Sequence, residues 1–286
     1  MRMDFHKFSN YSECPRKYKW RDERKPVFPP RNSYYAVAGE LVQKFFEEYS
    51  NSWKKEGRSF SIQDIKNVMR CYWEHLLLKN FVDWNDFSSK LNEMGLFTEC
   101  CEIIKKNLDI LDVYEGTRSE VKIEIKLRTG DTLVGVLDFI NKSGKEASIW
   151  DGKNSNKIGK YVDEKQLLFY ALLFKFHYGV LPKELAFLYF KHTKLVPIPF
   201  TEKDIDDTWM LFILVMTAIK NDKEFKPTPC AKACRLCDYL NQCPEGQKDM
   251  DSRKRGPKVY SCEEHFTEFN EDGVFTIKIG DLKQWV

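Results

Sequence analysis

The chain has 286 residues, of which 31% are charged, and its 46 Lys and Arg against 43 Asp and Glu leave a net charge of +3. This balance excludes a strong global field for polyanions, so a nucleic-acid site must be a local basic patch. No run of about eighteen apolar residues is present, and the opening MRMDFH lacks the apolar core of a secretory signal. No membrane span and a cytoplasmic, intracellular location are therefore expected, where nine cysteines read as thiols and metal ligands rather than as a disulfide framework.

In chain order, Ser9 reads as the N-cap of a helix through Tyr11, Cys14, Tyr18 and Trp20. The other face of that helix carries Arg16, Lys17, Lys19, Arg21 and Arg24, which suits either a phosphate backbone or plain solvent. Val27-Phe-Pro-Pro-Arg31 ends it. Three helices are expected over 34–56, 62–84 and 88–113, the second on the 3.6-residue spacing of Ile65, Met69, Tyr72, Trp73 and Leu76. Gly95 would kink or divide the third. Cys71, Cys100 and Cys101 lack metal-ligand spacing and read as small buried apolar residues.

Strands begin near Ser119, where Val121, Ile123, Ile125 and Leu127 alternate with charged residues. Glu120 here is a further carboxylate, read first as a solvent-face residue. A turn at Thr129-Gly130-Asp131 leads to the apolar run Gly135-Val-Leu-Asp138-Phe-Ile140, and Asn141, Ser143 and Gly144 read as a hairpin turn. The return strand is Ile149-Trp-Asp151-Gly-Lys153. A helix over 162–178 stacks Gln166 and Tyr170 on one side. Strands at 185–191 and 194–200, the latter ended by Pro197 and Pro199, and a helix near 202–221 complete the expectation. The order predicts an α/β fold, a mixed central sheet flanked by helices.

Two centres carry chemistry. Asp138 is a carboxylate inside an apolar strand, costly unless paired, and a divalent cation shared with Asp151 would pair it. Lys153, two residues after Asp151, lies on the same side of an extended strand. An acid two residues before a lysine also occurs at Asp64, Glu120, Glu124, Asp163, Glu224 and Asp281, where a solvated face is the plain reading. Only Asp151 has an intra-strand Asp thirteen residues upstream and a Gln-x3-Tyr helix downstream.

The second centre is Cys230-x3-Cys234-x2-Cys237-x5-Cys243, four cysteines in fourteen residues. Thiolates at this spacing bind zinc or an iron–sulfur cluster. Three ligand sets compete: the local four as a zinc site; Cys230, Cys234 and Cys237 as a radical-adenosylmethionine motif; and Cys234, Cys237 and Cys243 with Cys14 around a [4Fe–4S] cluster. Spacing alone favours the local set. Beyond lie a basic segment, a lone Cys262 and His265, and Val274-Phe-Thr-Ile-Lys-Ile279, which reads as an added strand.

Taken together these pieces resemble the PD-(D/E)XK nuclease superfamily, and within it the RecB-like iron–sulfur exonucleases, from about Phe8 to Pro244. Ser9-x-Tyr11-x-x-Cys14-Pro15-Arg16-x-Tyr18 resembles the segment bearing the first cluster cysteine. Gly135-Val-Leu-Asp138, Asp151-Gly-Lys153, Gln166-x3-Tyr170 and Cys234-x2-Cys237-x5-Cys243 resemble the remaining family motifs, in the family's order. The resemblance implies a restriction-endonuclease-like core at 119–226 and a basic-aromatic segment at 1–33. It also implies a helical region at 34–118, an iron–sulfur segment at 227–247 and a tail at 248–286. It assigns the fourth cluster ligand to Cys14 and implies Mg²⁺ or Mn²⁺ held by Asp138, Asp151 and the Gly152 carbonyl. Lys153 would assist, with Gln166 and Tyr170 positioning. Related exonucleases place a histidine one helical turn after the glycine that matches Gly39; here that residue is Gln43, a weaker ligand, which leaves one or two metals open.

The implied activity is hydrolysis of single-stranded DNA at ends, and the alternative is a weak or inactive DNA-end-binding or scaffolding module of the same fold. A helicase, or a recombination, CRISPR or phage-replication protein, is the kind of partner the resemblance implies.

Overall fold

The computed structural model describes residues 1–22, 34–80, 93–114, 116–159, 162–235 and 237–253. The segment Val27–Arg31, Cys262, His265 and the strand expected at 274–279 lie outside them. The chain forms two compact units. One gathers Met1–Pro30, Ile125–Val134 and Met210–Val286; the other gathers Arg31–Glu124 and Gly135–Trp209.

The N-terminal residues form a short strand β1 (Arg2–Met3) and two helices, α1 (Phe5–Glu13) and α2 (Pro15–Asp22). This corrects the single helix capped by Ser9. Asp4 is the N-cap, accepting the Lys7 amide at 2.8 Å, and Ser9 lies mid-helix. The break falls at Cys14, which is extended (φ −165°). A residue before proline is driven out of the helical region, and Pro15 then suits the first position of the next helix. Phe8 of α1 stacks on Phe212 at 4.3 Å.

In the other unit α3 (Tyr34–Glu48) runs into a π-helical turn at Tyr49–Trp53, followed by α4 (Ile62–Asn80) and α5 (Glu93–Asp112). Gly95 sits in the first turn of α5, which it does not divide. These helices bury Leu41, Phe45, Phe46, Met69, Trp73 and Ile104 against Phe139, Trp150 and Leu188 of the sheet. Cys100 and Cys101 lie in this core, their thiols pushed up to about 12 and about 11 chiefly by burial. Cys71 is exposed instead, because the buried stripe of α4 runs through Ile65, Met69 and Trp73 and turns position 71 outward.

The sheet comprises β2 (Gly116–Lys126), β3 (Thr132–Ser143), β4 (Glu146–Lys153), β5 (Glu184–Tyr189) and β6 (Lys194–Ile198) besides β1. Its order is β1-β3-β4-β5-β6, with β2 also pairing β3. β1 lies parallel to the start of β3, Arg2 opposite Thr132. β3 and β4 form an antiparallel hairpin in which Asn141 pairs with Ser148. Asn141 is thus strand rather than turn: its side chain accepts from Thr117 at 3.0 Å, and the left-handed turn residue is Gly144 (φ 59°). Between β4 and its parallel neighbour β5 the chain passes through α6 (Glu164–Tyr178), capped by Asp163 and by left-handed Gly179. Pro197 sits within β6, opposite Ala186, tolerated because β6 is an edge strand.

The chain closes with α7 (Glu202–Asn221), α8 (Ala231–Arg235) and α9 (Pro244–Arg253). The architecture is the expected mixed α/β sheet flanked by helices. Among the described residues no helix is long and apolar enough to cross a membrane.

Candidate active site

Strand register builds the first centre. Phe139 pairs with Trp150, and both side chains enter the helical core. The adjacent residues, Asp138 before Phe139 and Asp151 after Trp150, are turned by alternation to the opposite face. The Gly152 amide donates to Asp138 Oδ2 at 2.9 Å. Gly152 is glycine for a packing reason: a Cβ there would sit 2.6 Å from the Phe190 ring. Asp151 is 1% exposed, and Lys153 Nζ lies 2.5 Å from its Oδ2.

The same ammonium donates to Gln166 Oε1 at 3.2 Å, and Gln166 Nε2 donates to Tyr170 Oη at 3.0 Å. The acid, the lysine and the Gln-x3-Tyr pair of α6 therefore form one chain of contacts. Gln43 takes a different partner. Gly39 of α3 approaches Asn154, just past β4, and one turn further on Gln43 Nε2 donates to Glu120 Oε1 at 2.6 Å.

Burial pushes the Asp138 carboxyl well above the usual carboxylate range; the charges of Asp151 and Glu120 push it further, while the Gly152 amide and the Lys153 ammonium act against this. Burial also raises Glu120, opposed by the Gln43 hydrogen bond and reinforced by Glu47 and Asp151. The Tyr170 phenol is raised by burial and then by Asp138 and Asp151. The charges of Asp138, Asp151 and Glu120 thus act on one another, with Lys153 paired to Asp151. That excess of negative charge in a desolvated place fits a hard divalent cation, whose preferred ligands are such oxygens. Among the described residues no three acidic, His or Cys side chains already surround one point. Each carboxylate is turned to a donor of its own: Asp138 to Gly152, Asp151 to Lys153 and Glu120 to Gln43.

Glu120 departs from the solvent-face reading. Alternation along β2 makes it a solvent-side position, yet it is half-buried and takes a left-handed φ of 53°. That strained backbone redirects one side chain without disturbing the apolar alternation around it.

The second centre belongs to the other unit. Cys14, Cys234, Cys237 and Cys243 line one pocket with Trp20, Pro227 and Leu240. Gly246 lies beside two of the sulfurs: a Cβ there would stand 3.4 Å from Cys243 Sγ and 3.6 Å from Cys234 Sγ. The Gly246 amide also donates to Cys243 Sγ at 3.4 Å. Burial raises the thiols of Cys234 and Cys237, and each feels the charge of Cys14. Cys230 lies outside this lining. It is buried, and its Sγ accepts from the Ala233 amide at 3.5 Å in the first turn of α8.

The family profile of the PD-(D/E)XK nuclease superfamily matches residues 5–244, and the chain belongs to that superfamily. It is accordingly a metal-dependent nuclease with DNA as its substrate, of a type that typically uses Mg²⁺ or Mn²⁺. No curated protein matches the chain. A solved structure titled "Crystal structure of SSO0001" is similar over 86% of this chain and 86% of its own, with 13% identity and a TM-score of 0.36.

Proposed function

We propose that the chain is an exonuclease acting on single-stranded DNA ends, with its catalytic centre at Asp138, Asp151 and Lys153 and a [4Fe–4S] cluster on Cys14, Cys234, Cys237 and Cys243. The observation that carries the catalytic reading is the buried Asp151 carboxylate 2.5 Å from Lys153 Nζ, on the strand beside Asp138.

Hydrolysis adds water across a phosphodiester P–O bond. Asp138, Asp151 and the Gly152 carbonyl would hold a divalent cation, which when bound would supply charge neutralisation at the phosphate and a more acidic water. The remaining work belongs to the chain. The Lys153 ammonium has three protons; contacts to Asp151 and Gln166 direct two of them. The third is left to orient the water or meet the charge developing on the phosphate. Gln166, braced by Tyr170, holds the lysine in place.

Four sulfurs around one apolar pocket support the cluster assignment and the choice of Cys14 over Cys230. Arg16, 5.8 Å above the Trp20 ring, pairs positive charge with an aromatic face in the same unit, a combination suited to single-stranded nucleic acid.

End-labelled single- and double-stranded DNA, incubated with Mg²⁺ or Mn²⁺, tests the reading. Metal-dependent shortening from single-stranded ends is expected, with Asp151→Ala reducing the rate by about 10²–10³-fold or more. Protein purified without oxygen should be brown, absorbing near about 400 nm. Tight end binding without cleavage would instead establish a binding or scaffolding module of this fold. A colourless protein loaded with zinc would overturn the cluster.

A further inference from the structure

We infer that the hairpin end of the sheet, remote from the catalytic centre, binds an arginine-bearing peptide segment of a partner protein. The site is a groove of about 700 Å³ between Tyr114, just past α5, and Pro199-Phe200, just past β6. Nothing in this inference depends on the cleavage chemistry.

Strand pairing lays the floor of the groove. Phe139 pairs with Trp150 and Trp150 with Ala186, an apolar row that packs in the core with the helices α3 to α5. Two residues along, on the same face by alternation, Asn141 pairs with Ser148 and Ser148 with Glu184. This second row is polar throughout, and Thr117 extends it by donating to Asn141 Oδ1 at 3.0 Å. Buried polar groups are costly unless each is hydrogen-bonded. Asn141 is 1% exposed; its oxygen is taken by Thr117, while its Nδ2 has no partner among the described residues. Because Asn141 lines the groove, that donor calls for an acceptor brought by a ligand.

Glu184 gives the groove its charge. Its Oε1 accepts from Trp150 Nε1 at 3.0 Å. Among the described residues no ammonium or guanidinium pairs with it: neighbouring Lys183 turns to Glu146, 2.5 Å away. Two carboxylates and one ammonium line the groove, a balance that repels phosphate and attracts a cation. The Glu184 charge also reaches Tyr114, whose phenol is raised first by burial and then by this carboxylate. Tyr114 and Phe200 offer ring faces, and Pro197 and Pro199 apolar surface, on which the stem and head of a long cationic side chain can lie. The ligand must therefore carry a cation for Glu184 and an acceptor for the Asn141 amide. An arginine within a peptide supplies both, through its guanidinium and a backbone carbonyl. Pro197 removes a backbone donor from the edge strand β6, which disfavours capture of the peptide as an added strand.

Titration calorimetry on the full chain tests this with four probes: the capped tripeptide acetyl-Gly-Arg-Gly-amide, its Gly-Glu-Gly counterpart, ethylguanidinium and adenosine. The arginine peptide should bind at least about 10-fold tighter than the glutamate peptide. Glu184→Gln keeps an oxygen for Trp150 Nε1 and loses only the charge; it should weaken the arginine peptide by about 10- to 100-fold. Asn141→Ala should weaken the peptide by about 2- to 10-fold and leave ethylguanidinium, which has no carbonyl, unchanged. Circular dichroism checks the fold of each variant, and if Asn141→Ala does not fold, Glu184→Gln carries the decision. Asp151→Ala should bind the peptide like wild type, so the groove and the nuclease reading stand or fall separately. Equal affinity for the arginine and glutamate peptides, wild-type affinity in Glu184→Gln, or no binding of the arginine peptide at millimolar concentration would each overturn the inference. Adenosine binding more tightly than the arginine peptide would assign the groove to a nucleobase and overturn it as well.

Discussion

The carboxylate centre and the cysteine centre are assembled by different means. Asp138 and Asp151 ride on paired strands, their positions set by a ladder that runs from Phe139–Trp150 to Ser143–Glu146. Large apolar side chains such as Trp150 and Phe139, each at most 1% exposed, anchor those strands from behind. The cysteines occupy Cys14 between two helices, the five-residue α8, the turn before the 3₁₀ segment Leu240–Gln242, and the residue before α9. All four thiols are only partly buried. Donors on paired strands are placed by the fold, whereas donors on short turns depend on what binds them. If the proposed cluster is bound, metal binding at the second centre would be part of folding, and at the first mainly part of chemistry.

The largest effect expected from this contrast is at Cys14. A cluster joining Cys14 to Cys234 closes a loop of about 220 residues, and by analogy with a disulfide this contributes about 4–5 kcal/mol. Cys14→Ser should remove the absorption near 400 nm and lower the denaturant midpoint accordingly. If colour is lost and stability changes by less than about 1 kcal/mol, the cysteine centre is as preformed as the carboxylate one and the contrast fails. Retained colour would show that Cys14 is not a cluster ligand.

The difference in construction also decides what was legible. Asp138, Asp151, Lys153, Gln166 and Tyr170 are legible as candidates because strand and helix periodicity determine which side chains share a face; Lys153 meets Asp151 and Gln166, Gln166 meets Tyr170, and Asp138 accepts from the Gly152 amide. The half-burial of Glu120, expected on the solvent side, goes with a backbone angle that hydrophobic alternation does not encode. Asn141 was misplaced because an Asn beside Ser and Gly suggests a turn; its cross-strand partner Thr117, 24 residues earlier, is invisible to local reading. The helix break at Cys14 was written in Pro15 but masked by aromatic and basic residues that keep helical spacing across it. β1, two residues long, pairs with a strand some 130 positions away, and no periodicity can emerge from so short a segment.

A smaller effect tests how much of the cysteine-bearing unit is held without the cluster. Lys220 Nζ and the Met1 amino group each lie 2.5 Å from an oxygen of Asp131, and Thr129 donates at 2.6 Å. Burial raises the Asp131 pKa, but these hydrogen bonds outweigh it and hold the carboxyl at about 2, below its ordinary 3.8. A depressed folded pKa means stability that is fully present above about pH 4 and is lost as pH falls towards 2, here about 2 kcal/mol. Asp131→Asn should lower stability at pH 7 by about that amount and flatten the acid limb between pH 4 and 2 in urea titrations. An unchanged acid limb would show that this ion pair does not hold the unit.

The smallest effect lies at the far end of the contact chain in the carboxylate centre. Tyr170 reaches Lys153 only through Gln166, its hydroxyl accepting from Gln166 Nε2 at 3.0 Å. Tyr170→Phe removes one neutral hydrogen bond, worth about 0.5–1.5 kcal/mol, while the ring stays packed beside Gly135 of β3. The rate should fall by about 2- to 10-fold, with Mn²⁺ affinity and thermal midpoint unchanged, because the strands and not the tyrosine place Asp138 and Asp151. A hundredfold loss would mean that the hydroxyl meets the substrate itself. A parallel loss of Mn²⁺ affinity would mean that α6, as well as strand pairing, shapes the carboxylate site, and the distinction between the two centres would narrow.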